Sequence, residues 1–337
     1  MFSGFLFWWL LPILVMTTGW QRVATTQENK LKPPGQLIKV GKSRLHLLHL
    51  TSRNKKIAAK PTVVIDHSLG GVEGYLLIKE IAKDAEVCLC DRPGYGWSDV
   101  SWKAATSREW VRSLDIALTK ANIKPPYILV GNSLGSYNMR LYAHRFPEKV
   151  VGMVLTDGLH EKALLKMPLQ LRLLQFLFFI GFLTSILGSA LGLVRAAARF
   201  GVFELIKPEL KQIPSADLKP VIRSFFRSKH WLTMAREIVQ IDNSGKQLRA
   251  ANHFGSLPIV NIRARYFFKP TWLTKRLPLH KVEQLREEMH SDLMMLSTRC
   301  TQIPANSSHF VWIDQPEVIV KAVQLLLCRV TTTSTHR

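Results

Sequence analysis

A serine between two glycines is the feature of this sequence that could do chemistry. Ser133 is the central residue of the pentapeptide 131–135 (GNSLG). The apolar run 126–130 before it predicts a buried strand, and apolar residues at helical spacing follow it as far as Phe146. A serine at a sharp turn from a strand into a helix presents its hydroxyl for attack on a carbonyl carbon. The pattern therefore predicts a nucleophile at Ser133.

Strands and helices alternate along the chain and must position this serine. A hairpin is expected at residues 37–50, and buried strands at 62–66, 86–90, 126–130, 150–156, 258–263 and near Thr301. This alternation predicts an α/β fold with a mostly parallel sheet covered by helices on both faces. The expected organisation is a membrane anchor and linker at 1–34, a core at 35–157 and 256–330, and a helical cap at 158–255.

Four motifs follow the predicted strands in turn: 66–71 (DHSLGG), 91–99 (DRPGYGWSD), 131–135 (GNSLG) and 308–317 (SHFVWIDQPE). In this order they resemble the motifs of α/β-hydrolases, and the resemblance covers residues 35–329. The segments 34–40 (PGQLIKV) and 156–161 (TDGLHE) look like those of a membrane-associated bacterial branch of that superfamily. The resemblance implies a serine hydrolase with a nucleophile elbow at Ser133.

The resemblance also implies a base and an acid for this serine. A serine hydroxyl is a poor nucleophile near neutral pH, and His309, after the last predicted strand, is the candidate base. In many relatives the acid follows the strand after the cap, but residues 264–279 contain no Asp or Glu. Asp157, at the alternative station used by some relatives, is therefore the candidate acid. Asp292 and Glu161 are the other candidates, and Asp157 could instead only cap its turn.

Seven other histidines lack such a context and are expected to be structural: His46, His49, His144, His230, His253, His280 and His290. The oxyanion of an acyl-transfer reaction needs two backbone N–H donors. The resemblance assigns them to Leu134, directly after the serine, and to Leu69, in the loop after the third strand. Ser68 stands where relatives often have glycine. Asp91 and Arg92 are expected to fix the loop after the fourth strand.

An uncharged N-terminal segment predicts a membrane anchor. Residues 2–20 are mostly apolar, include three tryptophans and are long enough to span a bilayer. A cleaved signal peptide is the alternative, but a basic start and a small-x-small cleavage site are both missing. Basic residues after the segment favour a cytoplasmic catalytic domain. Residues 173–194 are also uncharged, but they fall inside the predicted enzyme domain, so we interpret them as apolar cap helices that line a substrate tunnel or enter the membrane interface.

The net charge of +22 over 337 residues predicts a basic surface, which attracts nucleic acid or anionic lipid. Zinc-finger spacing, RNA-binding signatures and basic-region heptads are missing, so the sequence favours lipid head groups over nucleic acid. The expected function is cleavage of an ester, thioester or amide with an apolar, lipid-like acyl group. No metal or organic cofactor is implied. An acyltransferase on the same fold and a catalytically silent membrane-bound interaction module are the alternatives.

Overall fold

The computed structural model describes residues 2–51, 60–269 and 279–334, with side chains from 11 onward and up to 330. Its central element is a single sheet of eight strands in the order β1-β2-β4-β3-β5-β6-β7-β8. The strands β1 and β2 pair antiparallel, as do β2 and β4, and all other neighbours are parallel. Their bounds are Gln36–Val40, Ser43–Leu50, Thr62–Asp66, Val87–Cys90, Tyr127–Asn132, Val150–Thr156, Ile259–Ala264 and Cys300–Ala305.

Helices cover both faces of this sheet. In chain order they are α1 Phe2–Asn29, α2 Gly74–Ile81, α3 Ser107–Lys120, α4 Leu134–Arg145, α5 Glu161–Leu165, α6 Leu169–Ala190, α7 Leu193–Arg199, α8 Val202–Ile206, α9 Ser215–Phe225, α10 Ser228–Gln247, α11 Leu279–Met294, α12 Val311–Asp314 and α13 Pro316–Ser334. Alternate side chains of β3 enter different cores: Val64 packs with α3 and α4, while Val63 and Ile65 pack with α2 and α13. The central strands are therefore apolar on both faces, as expected for a covered parallel sheet.

The six helices α5 to α10 lie between β6 and β7, in the region predicted as a cap. The two longest, α6 and α10, run antiparallel against each other. Arg172 near the start of α6 pairs with Asp242 near the end of α10 at 2.9 Å, and Ser189 near the end of α6 lies 3.0 Å from Ser228 at the start of α10. The face of α6 away from α10 exposes a row of large apolar side chains, Leu169, Leu173, Phe176, Leu177, Ile180, Leu183 and Leu187.

Among the described residues, α6 is the one helix that is long and apolar enough to cross a membrane. The predicted N-terminal span at residues 2–20 lies in α1 and falls partly outside the residues whose side chains the structure describes, so it stays a prediction.

The linker predicted between the anchor at 2–20 and residue 34 is wrong in its first part, because α1 continues to Asn29. Its last turns are held by the cap: Gln21 Nε2 donates to the Phe226 carbonyl over 2.7 Å, and Glu28 pairs with Arg195 at 2.7 Å. The sequence predicts a linker here because the partners of these polar residues lie about 170 to 205 residues further along the chain. The non-helical connection therefore begins only at Lys30.

Candidate active site

Ser133 lies between the end of β5 and the start of α4, in a strained backbone conformation. Its φ of +49° is in a region that L-residues with a side chain seldom occupy. The two flanking glycines make the turn possible. A Cβ on Gly131 would lie 2.6 Å from the Gly135 carbonyl oxygen, and a Cβ on Gly135 would lie 2.7 Å from the carbonyl oxygen of Asp66. The turn therefore has the geometry of a nucleophile elbow.

Ser133, His309 and Asp157 form one chain of hydrogen bonds across three strand ends. His309 Nδ1 is 2.5 Å from Asp157 Oδ2, and His309 Nε2 is 3.0 Å from Ser133 Oγ. Because an ionised carboxylate can only accept, Nδ1 carries the proton and donates a hydrogen bond to Asp157. The lone pair of Nε2 then accepts a hydrogen bond from the Ser133 hydroxyl. This is the geometry in which a histidine can remove the hydroxyl proton.

The Asp157 carboxylate is buried and held on both oxygens. The backbone of Asp157 also has a positive φ, +41°. Its Oδ1 accepts from Arg286 Nη2 at 2.7 Å, from His290 Nε2 at 2.9 Å and from the Ala264 N–H at 3.2 Å. Burial alone would raise the pKa of this carboxyl, but hydrogen bonds from His290 and His309 and the charge of Arg286 outweigh it and hold the pKa far below its usual range. Asp157 is therefore ionised.

The other two candidate acids lie elsewhere. Asp292 pairs with Lys162 at 3.0 Å, and Glu161 pairs with Arg140 at 3.0 Å. In contrast, sequence reasoning missed Arg286 and His290 as site residues and assigned His290 to the structural histidines. Their spacing of four residues, which places both on one face of α11, was the available signal.

Leu134 and Leu69 lie on the two elements expected to supply oxyanion donors. Leu134 is the first residue of α4, so its N–H has no acceptor within that helix. The Leu69 N–H donates to no acceptor among the described residues. The loop of Leu69 directly contacts the elbow, because Gly135 packs against the carbonyl groups of Asp66 and His67.

Arg92 holds this loop, a role that the sequence did not predict. Its guanidinium donates to the His67 carbonyl at 2.7 Å and to the Ser68 carbonyl at 2.6 Å, and it pairs with Asp66 at 2.9 Å. It also pairs with Glu237 of α10 at 2.8 Å. Arg92 therefore connects the candidate oxyanion loop to the cap, whereas the prediction was that it fixes the loop after β4.

Asp91 does serve the loop after β4, where it accepts from the Trp97 N–H at 3.0 Å. It also contacts His46 and Tyr75, each at 3.0 Å. His67, a second residue near the loop, is fully buried and accepts from the Gly74 N–H at 3.1 Å. His67 therefore packs the loop.

The cap closes over the site. Ser133 is only 6% exposed. Lys207, just after α8, reaches the loop of the base, where its Nζ is 2.6 Å from Asp314 Oδ1 and 3.2 Å from Ser308 Oγ. Apolar rings surround His309, whose imidazole stacks on Phe267 with centroids 4.8 Å apart. A substrate therefore has to reach Ser133 past the cap and these rings.

Known proteins share this architecture. The sequence model of the alpha/beta hydrolase fold family matches residues 61–181. The crystal structure of the enol-lactonase from Burkholderia xenovorans LB400 superposes with a TM-score of 0.60 at 14% identity, covering 87% of this chain and 100% of that one. A putative lipase from Acinetobacter baumannii AYE superposes with a TM-score of 0.58 at 16% identity, covering 96% of this chain and 97% of that one. The chain has the α/β-hydrolase fold. The predicted fold class, a mostly parallel sheet flanked by helices, is confirmed.

A curated relative of this α/β-hydrolase-fold chain comes from Saccharomyces cerevisiae and is described as an uncharacterized vacuolar membrane protein. It is 37% identical over 127 residues, which are 35% of this chain and 19% of the relative. The match thus spans about a fifth of that protein's length. Membership of a membrane-associated bacterial branch stays a prediction.

Proposed function

We propose that this chain is a serine hydrolase that cleaves an ester, thioester or amide with an apolar acyl group. One observation carries the proposal: Ser133 Oγ lies 3.0 Å from His309 Nε2, while His309 Nδ1 lies 2.5 Å from the Asp157 carboxylate. Serine, imidazole and carboxylate in this order are the minimum set for general-base activation of a hydroxyl. In this proposal Ser133 is the nucleophile, His309 the base and Asp157 the acid.

The reaction proceeds through an acyl-enzyme. Ser133 Oγ forms a bond to the carbonyl carbon as His309 Nε2 takes its proton, and the N–H groups of Leu69 and Leu134 receive the oxyanion. The bond to the leaving group then breaks, and His309 returns the proton to that group. Water then attacks the acyl carbon as His309 Nε2 takes its proton, the bond from that carbon to Ser133 Oγ breaks, and His309 returns the proton to Oγ as the acid leaves. Asp157 stays ionised and stabilises the imidazolium at each stage.

The surroundings of the base favour an apolar substrate. Phe267, Phe310 and Trp312 lie around the His309 ring with centroids 4.8 to 6.1 Å away. A charged or strongly polar acyl group next to these rings would lose its hydration without gaining partners. The names of two structural neighbours, an enol-lactonase and a putative lipase, agree with the cleavage of an ester bond.

We further propose that the chain works at a membrane. The helix α1 anchors it, and the exposed apolar face of α6 lies in the membrane interface. On α1 the side chains of Val15 and Met16 are 64% and 71% exposed, and Trp20 follows at 42%. The name of the yeast relative agrees with a membrane location. By the excess of basic residues after α1, the catalytic part faces the cytoplasm.

Labelling with a fluorophosphonate probe tests the proposed nucleophile. The detergent-solubilised chain is expected to react, and Ser133→Ala to abolish the reaction. Ser113→Ala is the matched control, because Ser113 lies on α3 and only bonds the Glu109 carbonyl of its own helix. A folded chain that does not react would overturn the hydrolase in favour of a catalytically silent interaction module.

Acyl esters of increasing chain length then test the substrate class and the reaction. Turnover that rises with chain length supports the apolar acyl group. The released acyl group is then followed in the presence of an added alcohol or thiol. Appearance of free acid supports the hydrolase, and preferential transfer to the acceptor would identify an acyltransferase.

A further inference from the structure

Three arginines of the cap surround one carboxylate at the end of α1. Arg195 Nη1 lies 2.7 Å from Glu28 Oε1, and Arg227 Nη2 lies 2.7 Å from Glu28 Oε2. Arg223 Nε is 4.0 Å from the same Oε2. With three positive charges and one negative, this Glu28 cluster has a net charge of +2.

Several hydrogen-bond donors of the Glu28 cluster have no acceptor among the described residues. Arg195 Nη2, Arg227 Nε, and Nε and Nη1 of Arg223 are buried and have no hydrogen-bond partner among the described residues. The three side chains are only 9%, 10% and 13% exposed, in the order 195, 227 and 223. Burial lowers the pKa of Arg223, and the charge of Arg227 lowers it further. Glu28 therefore offsets only part of the positive charge of the three arginines and leaves four of their donor atoms without a hydrogen bond.

The position of the cluster indicates the kind of anion. Arg195 Nε also donates to Gln21 Oε1 at 2.7 Å, so its guanidinium reaches along α1 from Gln21 to Glu28. Trp20 directly precedes Gln21, and the helix before it is uncharged. At 1.5 Å per residue along the helix axis, Gln21 lies about 2 Å and Glu28 about 12 Å beyond Trp20. That is the depth of phospholipid head groups when Trp20 marks the membrane interface.

We propose that the Glu28 cluster binds the phosphate group of an anionic phospholipid at the point where α1 leaves the membrane. Planar guanidinium forks match the oxygens of a phosphate. Arg195 and Arg227 donate hydrogen bonds to Glu28, whereas Arg223 approaches it only to 4.0 Å and has two donor atoms without a hydrogen-bond partner among the described residues. The ring of Trp97 lies 4.6 Å below the Arg223 guanidinium and fixes its plane. Arg223 is thus the main contact to the phosphate. This inference rests on the proposed membrane attachment and is independent of the proposed chemistry.

The test uses the full chain carrying Ser133→Ala, in a neutral detergent, and measures the thermal unfolding midpoint. Short-chain phosphatidylglycerol is expected to raise the midpoint, with smaller effects from short-chain phosphatidylcholine and inorganic phosphate. Replacing Arg223 by Gln is expected to weaken the apparent affinity for phosphatidylglycerol about tenfold or more. Arg112→Gln, an exposed arginine on α3 of the core, is the charge-matched control and should change nothing.

Two results would overturn the proposal. Equal stabilisation by inorganic phosphate would assign the site to a free anion rather than a lipid. No response to any of the three ligands, or the same response in Arg223→Gln as in the parent, would remove the site. If Arg223→Gln does not fold, Arg223→Lys replaces it, because it keeps the charge, loses the fork and should still lose affinity. Because the Ser133→Ala chain lacks the proposed nucleophile, the unfolding midpoints do not depend on whether the chain is a hydrolase.

Discussion

His290 lies behind Asp157 and donates from Nε2 to Oδ1 over 2.9 Å, on the carboxylate oxygen opposite the one that faces the proposed base. Asn261 lies 3.2 Å from the other ring nitrogen of His290. The acid is therefore flanked by two imidazoles, one towards the nucleophile and one towards the interior. Removing the His290 imidazole should therefore disturb the orientation of the Asp157 carboxylate more than it disturbs substrate binding.

We expect His290→Phe to lower kcat about tenfold to hundredfold and to leave KM nearly unchanged, because it removes a hydrogen bond to a charged group. His290→Gln keeps an amide donor and should recover part of the loss. The control is His280→Phe, on an exposed position of the same helix. Steady-state kinetics over a range of pH measures the effect. Equal losses in His290→Phe and His290→Gln would mean that His290 only packs.

Replacing Asp157 by Asn should lower kcat by about 10³ to 10⁴, since the imidazole then loses its orienting carboxylate. Asp292→Asn changes a carboxylate that pairs with Lys162 and should retain nearly full turnover. Hydrolysis of an activated ester by both variants decides which carboxylate is the acid. The assignment fails if Asp157→Asn turns over at the parent rate.

The elbow should tolerate no Cβ at Gly135, because that atom would lie 2.7 Å from a backbone carbonyl oxygen that cannot move independently. We expect Gly135→Ala to abolish probe labelling and to lower the unfolding temperature. Gly181→Ala, on the exposed face of α6 with no atom within 4 Å, should keep labelling and gain up to about 1 kcal/mol of helix stability. Full labelling of Gly135→Ala would contradict the described contact between the elbow and the loop of Leu69.

Acid should destabilise the chain through His230. Burial lowers the pKa of His230 to about 3 in the folded chain, against about 6.5 when unfolded. Below pH 6.5 the unfolded chain takes up a proton that the folded one does not, so stability falls as the pH falls towards 3. The loss from this residue is about 3 kcal/mol between pH 6.5 and 4.

Unfolding temperatures of the parent and of His230→Phe across this pH window measure that loss. His230→Phe loses the 2.9 Å contact of His230 with Ser224, and this loss lowers stability by the same amount at each pH. Its unfolding temperature should therefore fall less steeply with decreasing pH than that of the parent. His253→Phe, at an exposed position, should keep the parent slope. Parallel slopes for all three proteins would show that His230 does not remain neutral.

The anchor can be tested by charge. Leu11→Arg with Val15→Arg places two charges on the exposed face of α1, each at a cost of about 2.5 to 3.5 kcal/mol if that face is at the bilayer centre. We expect the double variant to leave the membrane pellet on alkaline carbonate extraction. Met295→Arg changes an exposed apolar residue outside the cap and should stay in the pellet. Retention of the double variant would argue against α1 as the anchor.

The sequence predicted the parts of the site that lie at strand ends. Ser133 and Asp157 follow β5 and β6, and His309 follows β8; parallel strands bring their carboxyl ends to one edge of the sheet, so chain order was sufficient. The supporting contacts could not be predicted in this way. Arg92 contacts Glu237, which lies 145 residues further along the chain. Such a contact depends on how the cap packs on the core, which the local sequence does not determine. The same holds for the last turns of α1, whose polar side chains look solvated until their cap arginines are placed.

The docking of α1 has a consequence for how a substrate travels. This helix contacts α6 and α7 of the cap, and its carboxylate Glu28 is held by cap arginines. When α1 is embedded in a bilayer, the cap is thus the part of the molecule pressed against the lipid. An apolar substrate dissolved in the bilayer then meets the cap by lateral diffusion and need not enter water. Its effective concentration at the entrance is set by partition into the lipid, so the rate should follow its surface density rather than its bulk concentration.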